Sequence, residues 1–471
     1  MFRSTGFRFI AVGLLALLMF IPLNLVSTII NDRANYSRQT VSDISEEWGG
    51  RQQLSGPVLV IPVTEDVTYD RRREAVDAVT GLTLRDDDGK TIFEHYEETV
   101  TEDRQPVFLF PEALDITVDT TSQTRARGIF AVPVYTAHSD ISFTFDTSLA
   151  SDALSGDEVL HWSDAELEVR LTSNKALRGE AVLMVADRTI PLEPLSLGNQ
   201  SASSGVMAEV GDPRSIDTYD LSLTLNGARH IAATATGRTT RLTISSDWPD
   251  PSFFGSFLPD ARTVTDTGFE ASWTVPHLAR ALPQVSRERL DGLARKSASM
   301  GVRFLTPNDF YQKAYRSARY GLLFIGLTFL TILLLDRNGA TPTHPVQYLM
   351  VGLAQSVFVL LMAAYAEQIG FGAAYAVSAT ATIGLLTIFG ATALKLGNRA
   401  TTLAAMLIIV YLVLYLILQS ADYALLAGST LAFVALAGTM WITRNEDWHG
   451  PEREPRRWFK RRTSDAPQTA S

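Results

Sequence analysis

The feature that most constrains the fold of this chain is the distribution of its long apolar runs. One run covers residues 9–30, and no other run long enough to cross a bilayer occurs before residue 321. Five more then follow almost without interruption, up to residue 443. A membrane-spanning helix needs about 20 apolar residues, because each adds about 1.5 Å to a path through a hydrocarbon core about 30 Å thick. The sequence therefore predicts one membrane helix, then a large domain, then five further membrane helices.

The first run is expected to stay in the protein as an anchor helix. Arg3 and Arg8 provide a basic start, which signal peptides also have. The run at 9–30 is nevertheless longer than the roughly 7–15 apolar residues of a signal peptide, and no small-residue cleavage pattern follows it. The later spans are expected at residues 321–335, 346–366, 369–394, 401–419 and 423–443.

Basic residues near the span ends predict which side of the membrane each loop faces, because Lys and Arg in short loops stay cytoplasmic. With six spans, the short segments on one side contain Arg3, Arg8, Arg337, Lys395 and Arg399. The loops on the other side, at 367–368 and 420–422, contain no basic residue. Both termini are therefore expected in the cytoplasm and the large domain in the periplasm. The predicted domains are a cytoplasmic N-terminus (1–8), the anchor (9–30), the periplasmic domain (31–319), the bundle (320–443) and a basic, disordered cytoplasmic tail (444–471).

The domain between the first two spans is predicted to be mostly β-structure. Apolar and polar residues alternate in short runs, for example at 58–63, 113–119 and 219–226, as in half-buried strands. Asn226-Gly227 is a hairpin signal. A sandwich or a pair of stacked β modules fits this pattern, and two halves meeting near 200–213 are a weakly marked alternative. Short helices are expected at 33–48, 284–296 and 309–320.

A proline-rich segment at residues 246–260 differs from its surroundings. Its three prolines and one glycine argue against regular structure, although the segment is also rich in large apolar side chains. One interpretation is an ordered loop that closes the core, and the other is a surface platform for a lipid, a glycan or a protein. The candidate contact residues are Trp248, Phe253, Phe254 and Phe257.

Three basic residues, Lys313, Arg316 and Arg319, are spaced three apart just before the second span. Such a row lies near one helical face, where a solvated flank reaching toward lipid headgroups is the simpler interpretation. The alternative is a clamp on an anionic lipid or on the acidic surface of the large domain.

The later spans contain few polar groups but show small residues at four-residue spacing. Gly372, Ala376 and Gly384 in the fourth span and Gly428 in the sixth are candidates for close helix packing, inside the bundle or at an oligomer seam. The interior position is the favoured one, and the oligomeric state stays open. Gln355 is the best mid-span polar residue, and an interhelical hydrogen bond is favoured over a substrate contact.

The sequence contains no recognisable catalytic or metal motif. Cysteine is absent and none of the seven histidines stands in zinc-site spacing. Nucleotide-binding glycine motifs and the serine nucleophile elbow are also missing. The net charge of −10 argues against a nucleic-acid partner. The chain is therefore expected to be no enzyme and to use no cofactor or metal.

Several segments spread along the chain resemble the CreD family of inner-membrane proteins. The residues that carry the resemblance lie at 31–36, 54–63, 248–260, 311–325, 344–354 and 367–371. The resemblance implies a bacterial inner-membrane protein linked to cell-envelope integrity and stress response. It implies no reaction and no catalytic residues.

These observations lead to two hypotheses about function. The first is a non-enzymatic scaffold, stress effector or partner-binding protein, which contacts an anionic lipid or another envelope protein through its periplasmic domain. The second is a transporter or lipid-handling component. A polar cavity near Gln355, or a lipid-sized apolar groove beside the 246–260 segment, would favour the second hypothesis.

Overall fold

The computed structural model describes residues 5–78, 81–186, 188–195, 204–305, 310–336, 343–419 and 424–444. The chain divides into two compact units. The helix unit comprises Met1–Tyr36 and Asn308–Ser471, and the β unit comprises Ser37–Pro307. Except for Arg444, the tail predicted at 444–471 lies outside the described residues.

The described residues contain six helical segments long and apolar enough to cross a membrane. A mostly-β unit lies in sequence between the first of these segments and the other five, which confirms the predicted α+β membrane architecture. The helices are α1 (Thr5–Leu18), α2 (Phe20–Glu47), α3 (Asp291–Ser297), α4 (Phe310–Asp336), α5 (Pro345–Ile369), α6 (Phe371–Thr392), α7 (Ala400–Gln419) and α8 (Ala424–Thr443).

The first membrane segment is longer than the expected anchor and is interrupted at Met19. α1 ends at Leu18 and α2 begins at Phe20. Pro22 is the third residue of α2. Because proline has no N–H, the carbonyl of Leu18 lacks its usual helical donor at this point. α2 continues to Glu47, so the separate helix expected at 33–48 is part of this longer element.

The β unit contains two sheets. Its strands are β1 (Gln52–Glu74), β2 (Phe93–Leu109), β3 (Ala113–Arg127), β4 (Phe130–Thr144), β5 (Val159–Leu160), β6 (Glu166–Arg170), β7 (Leu177–Val185), β8 (Arg188–Ile190), β9 (Glu193–Pro194), β10 (Gly205–Glu209), β11 (Tyr219–Ala228), β12 (His230–Thr234), β13 (Thr239–Ser246), β14 (Pro251–Gly255), β15 (Ala261–Thr265), β16 (Gly268–Val275), β17 (Val285–Ser286) and β18 (Ser299–Phe304). In the first sheet, the strand order is β14-β18-β12-β1-β6-β10-β9, with β2, β5 and β17 attached beside this path. In the second sheet, the order is β15-β16-β13-β3-β4-β11-β7-β8.

Both sheets contribute to one apolar core. Leu59 and Ile61 from the first sheet and Tyr135 and Trp273 from the second belong to the same buried cluster. Strands bury every second side chain, as β16 illustrates, so alternation in the sequence becomes an apolar inner face. Removal of apolar surface from water stabilises a fold by roughly 25 cal/mol per Å². Burial of apolar side chains in this shared core is therefore the main contribution that holds the two sheets together.

Three local expectations for the β unit are wrong. Asn226-Gly227 does not form a hairpin, because both residues lie inside β11, and a Cβ at Gly227 would collide with the Tyr135 ring. The proline-rich segment is not wholly irregular, since β14 pairs with β18 along its whole length. The helix expected at 284–296 begins only at Asp291.

Candidate functional site

One end of the first sheet gathers four basic side chains, which we call the basic sheet end: Arg51, Arg229, His230 and Arg303. His230 on β12 lies opposite Arg303 on β18. Gln52 on β1 lies beside Ile231 of β12, so Arg51, the preceding residue, reaches the same end of the sheet. Residues far apart in sequence therefore meet because the strand register aligns them.

Among the residues that the structure describes, the basic sheet end includes an aromatic ring but no neutralising acid. Arg303 stacks over Phe254, with its guanidinium carbon 4.6 Å from the ring centroid. The ring of His230 meets the same phenylalanine edge-on at 5.2 Å. Within the described part of the chain, Arg51, Arg229 and Arg303 have no carboxylate oxygen within ion-pair distance. The three guanidinium groups are thus a local surplus of positive charge.

The electrostatic effect of this cluster is visible at its histidine. Burial and then the charges of Arg51, Arg303 and Arg229 lower the pKa of His230 to about 4. Burial and the neighbouring Arg51 also lower the pKa of Arg229. The imidazole is therefore neutral at neutral pH, and the positive charge of the site resides on the three arginines.

The four aromatic candidates of the proline-rich segment fall into two groups. Trp248, Phe253 and Phe257 pack against the core, and the indole N–H of Trp248 donates to the carbonyl of Leu305 at 3.0 Å. Phe254 points away from that core and joins Arg303 and His230 instead. Neighbouring residues of a strand face opposite sides, which explains why Phe253 and Phe254 separate.

In the helix unit, a carboxylate on α5 connects three helices. Arg33 on α2 donates to both oxygens of Glu367, at 2.9 and 3.1 Å. The hydroxyl of Tyr311 on α4 donates to the same carboxylate at 2.9 Å. The paired geometry of the guanidinium fixes direction as well as distance. This triad ties the first membrane segment to the bundle.

Two members of the basic row before the second span contact the end of another helix. Lys313 donates to the side chain of Gln419 at 3.2 Å, and Arg316 donates to the carbonyl of Leu418 at 3.3 Å. Cations at the last turn of a helix such as α7 interact favourably with its free carbonyls. Arg319 is exposed and stacks over the ring of Tyr315.

Three of the four small-residue candidates do not lie in the bundle interior that the sequence favoured. Gly372, Ala376 and Gly384 are on the exposed face of α6 rather than in the interior, and the buried face of this helix carries other residues, both small and large. Gly428 is buried, and a Cβ there would lie 3.5 Å from the ring of Tyr320. Among the described glycines of the membrane helices, the tightest approach is instead at Gly352, a position that the four-residue spacing does not single out.

The middle of the bundle is closely packed around Gln355. Its amide nitrogen donates to the hydroxyl of Thr328 on α4 at 2.8 Å, which confirms the expected interhelical hydrogen bond. The adjoining cavity, lined by Ser317, Phe358 and Tyr411 among others, has a volume of about 20 Å³. That space suits a single water molecule and is too small for a solute.

A larger cavity of about 350 Å³ lies between α1, α4 and α5. Its walls include Ala11, Leu15 and Leu333, and polar groups line one part of it. Among these, the hydroxyl of Tyr348 is buried and has no hydrogen-bond partner among the described residues. Arg8 lines the same cavity.

The sequence did not identify the basic sheet end or the Glu367 triad. No short motif contains them, because strand register and helix packing bring their residues together across the chain. Among the described residues, no group of three or more His, Asp or Glu side chains is arranged to hold a metal ion.

Comparison with known proteins gives one family. The model of the family described as inner membrane protein CreD matches residues 4–449. The inner membrane protein CreD of Escherichia coli (strain K12) is 30% identical over 438 residues, which cover 92% of this chain and 91% of the relative.

Proposed function

Because this chain belongs to the CreD family of inner membrane proteins, we propose that it is a non-enzymatic scaffold or partner-binding effector of the cell envelope. In this proposal the β unit faces the periplasm and contributes to envelope integrity or the response to envelope stress. The helix unit holds the β unit at the membrane.

The close packing around Gln355 is the observation that carries the proposal. A solute path through a bundle needs a continuous polar cavity, and residues that bind the solute must be free to do so. Here the amide nitrogen of Gln355 bonds to Thr328, and the space beside the side chain, about 20 Å³, is too small for a solute. This favours a supporting bundle over a conduit, and it leaves the β unit as the part that engages a partner.

Site-specific photocrosslinking in cells tests the proposal. A photoreactive amino acid at Leu258, which is 68% exposed in the proline-rich segment, should capture a discrete envelope component. The same amino acid at Leu278, another exposed leucine, is the matched control and should give a different pattern. Adducts of the chain with itself alone at Leu258 would mean that this segment is structural, and the partner-binding role would be rejected there.

A lipid-handling role is the second candidate, and the cavity between α1, α4 and α5 favours it. The cavity has apolar walls with Arg8 and the hydroxyl of Tyr348 among its lining groups, a combination that suits one amphiphilic molecule. Native mass spectrometry of the purified protein would then show a retained lipid. Ala11→Trp, which fills the cavity, should remove that lipid, whereas Leu14→Trp on the exposed face of α1 should not. An equal lipid content in both variants would contradict this role.

A further inference from the structure

We infer that the basic sheet end, together with Phe254, binds the headgroups of anionic phospholipids. This binding goes beyond the proposed function, because it would hold whether or not the β unit also engages an envelope protein. The ligand chemistry is a phosphate diester at the boundary of an apolar phase.

The first argument is the unbalanced charge. Three arginines surround one imidazole, and no carboxylate of the described chain lies within ion-pair distance of them. Some exposed arginines elsewhere in the β unit are paired, as Arg71 is with Glu98 and Arg241 with Asp115. Like charges held close together repel one another. An anion bound between the three guanidinium groups would therefore reduce an electrostatic repulsion that is present in the folded protein.

The second argument is the chemistry of the donors. Guanidinium groups present several N–H donors in a planar fork that matches the oxygens of a phosphate. Arg303 is held over the ring of Phe254, which fixes the plane of its guanidinium. A phosphate that approached this end would therefore meet an oriented donor rather than a freely moving one.

The third argument distinguishes a lipid from an acidic protein. Leu305, two residues beyond Arg303, is 47% exposed, and Phe254 is only half-buried. Apolar side chains beside arginines suit the boundary between headgroups and acyl chains. Only five residues, 305–309, separate Phe304 from Phe310, the first residue of the spanning helix α4. At about 3.5 Å for each of the six steps between their Cα atoms, this connection can be at most about 20 Å long, so the sheet end lies within reach of a bilayer that α4 crosses.

A single reporter cysteine tests the inference, because the chain has no cysteine of its own. Ser252→Cys lies opposite Arg303 in the β14–β18 pair and carries a polarity-sensitive fluorophore. The full-length labelled protein is placed in nanodiscs of phosphatidylcholine with 0–30% phosphatidylglycerol. Emission should shift to shorter wavelength as the anionic fraction rises, and high salt should reverse the shift.

The size of the expected effect follows from the charge, since each basic residue near an anionic surface strengthens binding roughly fivefold.

The decisive comparison uses two triple variants that remove the same charge. Arg51→Gln, Arg229→Gln and Arg303→Gln together should shrink the emission shift at least fivefold. Arg71→Gln, Arg73→Gln and Arg241→Gln, which remove ion-paired arginines instead, should keep it.

A fluorophore at Thr263→Cys, on the exposed strand β15, should show little shift in any nanodisc. Reversal of the emission shift by salt is measured on the protein with all its arginines, so this result does not depend on whether a variant folds correctly. If phosphatidylglycerol produces no shift in that protein, or if the first triple variant retains the full shift, the inference is wrong. A shift produced only by acidic proteins and not by the lipid would equally overturn it.

Discussion

At the scale of single residues, the Glu367 triad should contribute to the stability of the helix unit. Glu367→Gln removes the negative charge while the Arg33 guanidinium remains in place. Glu367 is 14% exposed and Arg33 is 45% exposed, so solvent screens part of the loss. We expect a destabilisation of about 1–3 kcal/mol, seen as a lower Tm in detergent.

The matched control for this substitution is Glu47→Gln. The carboxylate of Glu47 also pairs with an arginine, Arg127, but both side chains are more than half exposed. The expected change in Tm is small, since exposed ion pairs contribute little. Equal changes in Tm for the two variants would show that burial of the triad is unimportant.

His230 makes the stability of the β unit depend on pH. Its pKa is lowered to about 4 in the fold, whereas an unfolded histidine has a pKa near 6.5. The unfolded chain therefore binds more protons between these values, and stability falls as pH drops from about 6.5 to about 4. After allowance for solvent screening, the contribution is about 2 kcal/mol.

Urea unfolding of the full-length protein at pH 7 and pH 4.5, followed by a probe on the β unit, measures this effect. His230→Gln should lose less stability on acidification than the unsubstituted chain. His277→Gln, a change at an exposed histidine, should behave like the unsubstituted chain. If all three lose the same stability, the buried imidazole does not contribute.

At the scale of elements, the packing of α1 and α2 against α5 depends on Gly352. A Cβ at this position would meet the sulfur of Met19, and it would lie 3.0 Å from the ring of Phe329. Overpacking of a filled interface costs about 1–3 kcal/mol, so Gly352→Leu should lower the Tm of the bundle. Gly384→Leu is the control, because no atom of the described residues lies within 4 Å of a Cβ there. A tolerated leucine at 352 would mean that α1 and α5 separate easily.

The elements also show where sequence patterns succeed. Long apolar runs predicted the membrane helices, since a run of that length has few alternative environments. Alternation predicted many of the strands for a similar reason. Asn226-Gly227 failed as a hairpin signal because a local turn preference competes with tertiary packing, and here the contact with Tyr135 requires a glycine inside β11.

The site was less predictable than the fold. The aromatic residues within 248–257 were recognisable because exposure of large apolar side chains to water is unfavourable. Strand alternation, however, decides that Phe253 faces the core and that Phe254 does not. The arginines of the basic sheet end gave no signal, because each is a common surface residue until register places it beside the others. Composition and periodicity predict elements, whereas a site made from separate strands depends on the topology.

At the scale of the whole molecule, the sidedness of the chain is the property that any envelope role requires. The positive-inside pattern predicts a periplasmic β unit and a cytoplasmic loop at 395–400. A cysteine at Leu258 and another at Asn398 report on the two sides, since both positions are exposed and the chain has no other cysteine. In spheroplasts, a membrane-impermeant maleimide should label Leu258→Cys and leave Asn398→Cys unmodified. After permeabilisation, both cysteines should be labelled to the same extent. If only Asn398→Cys is labelled before permeabilisation, the topology is the reverse of the predicted one and the β unit lies in the cytoplasm.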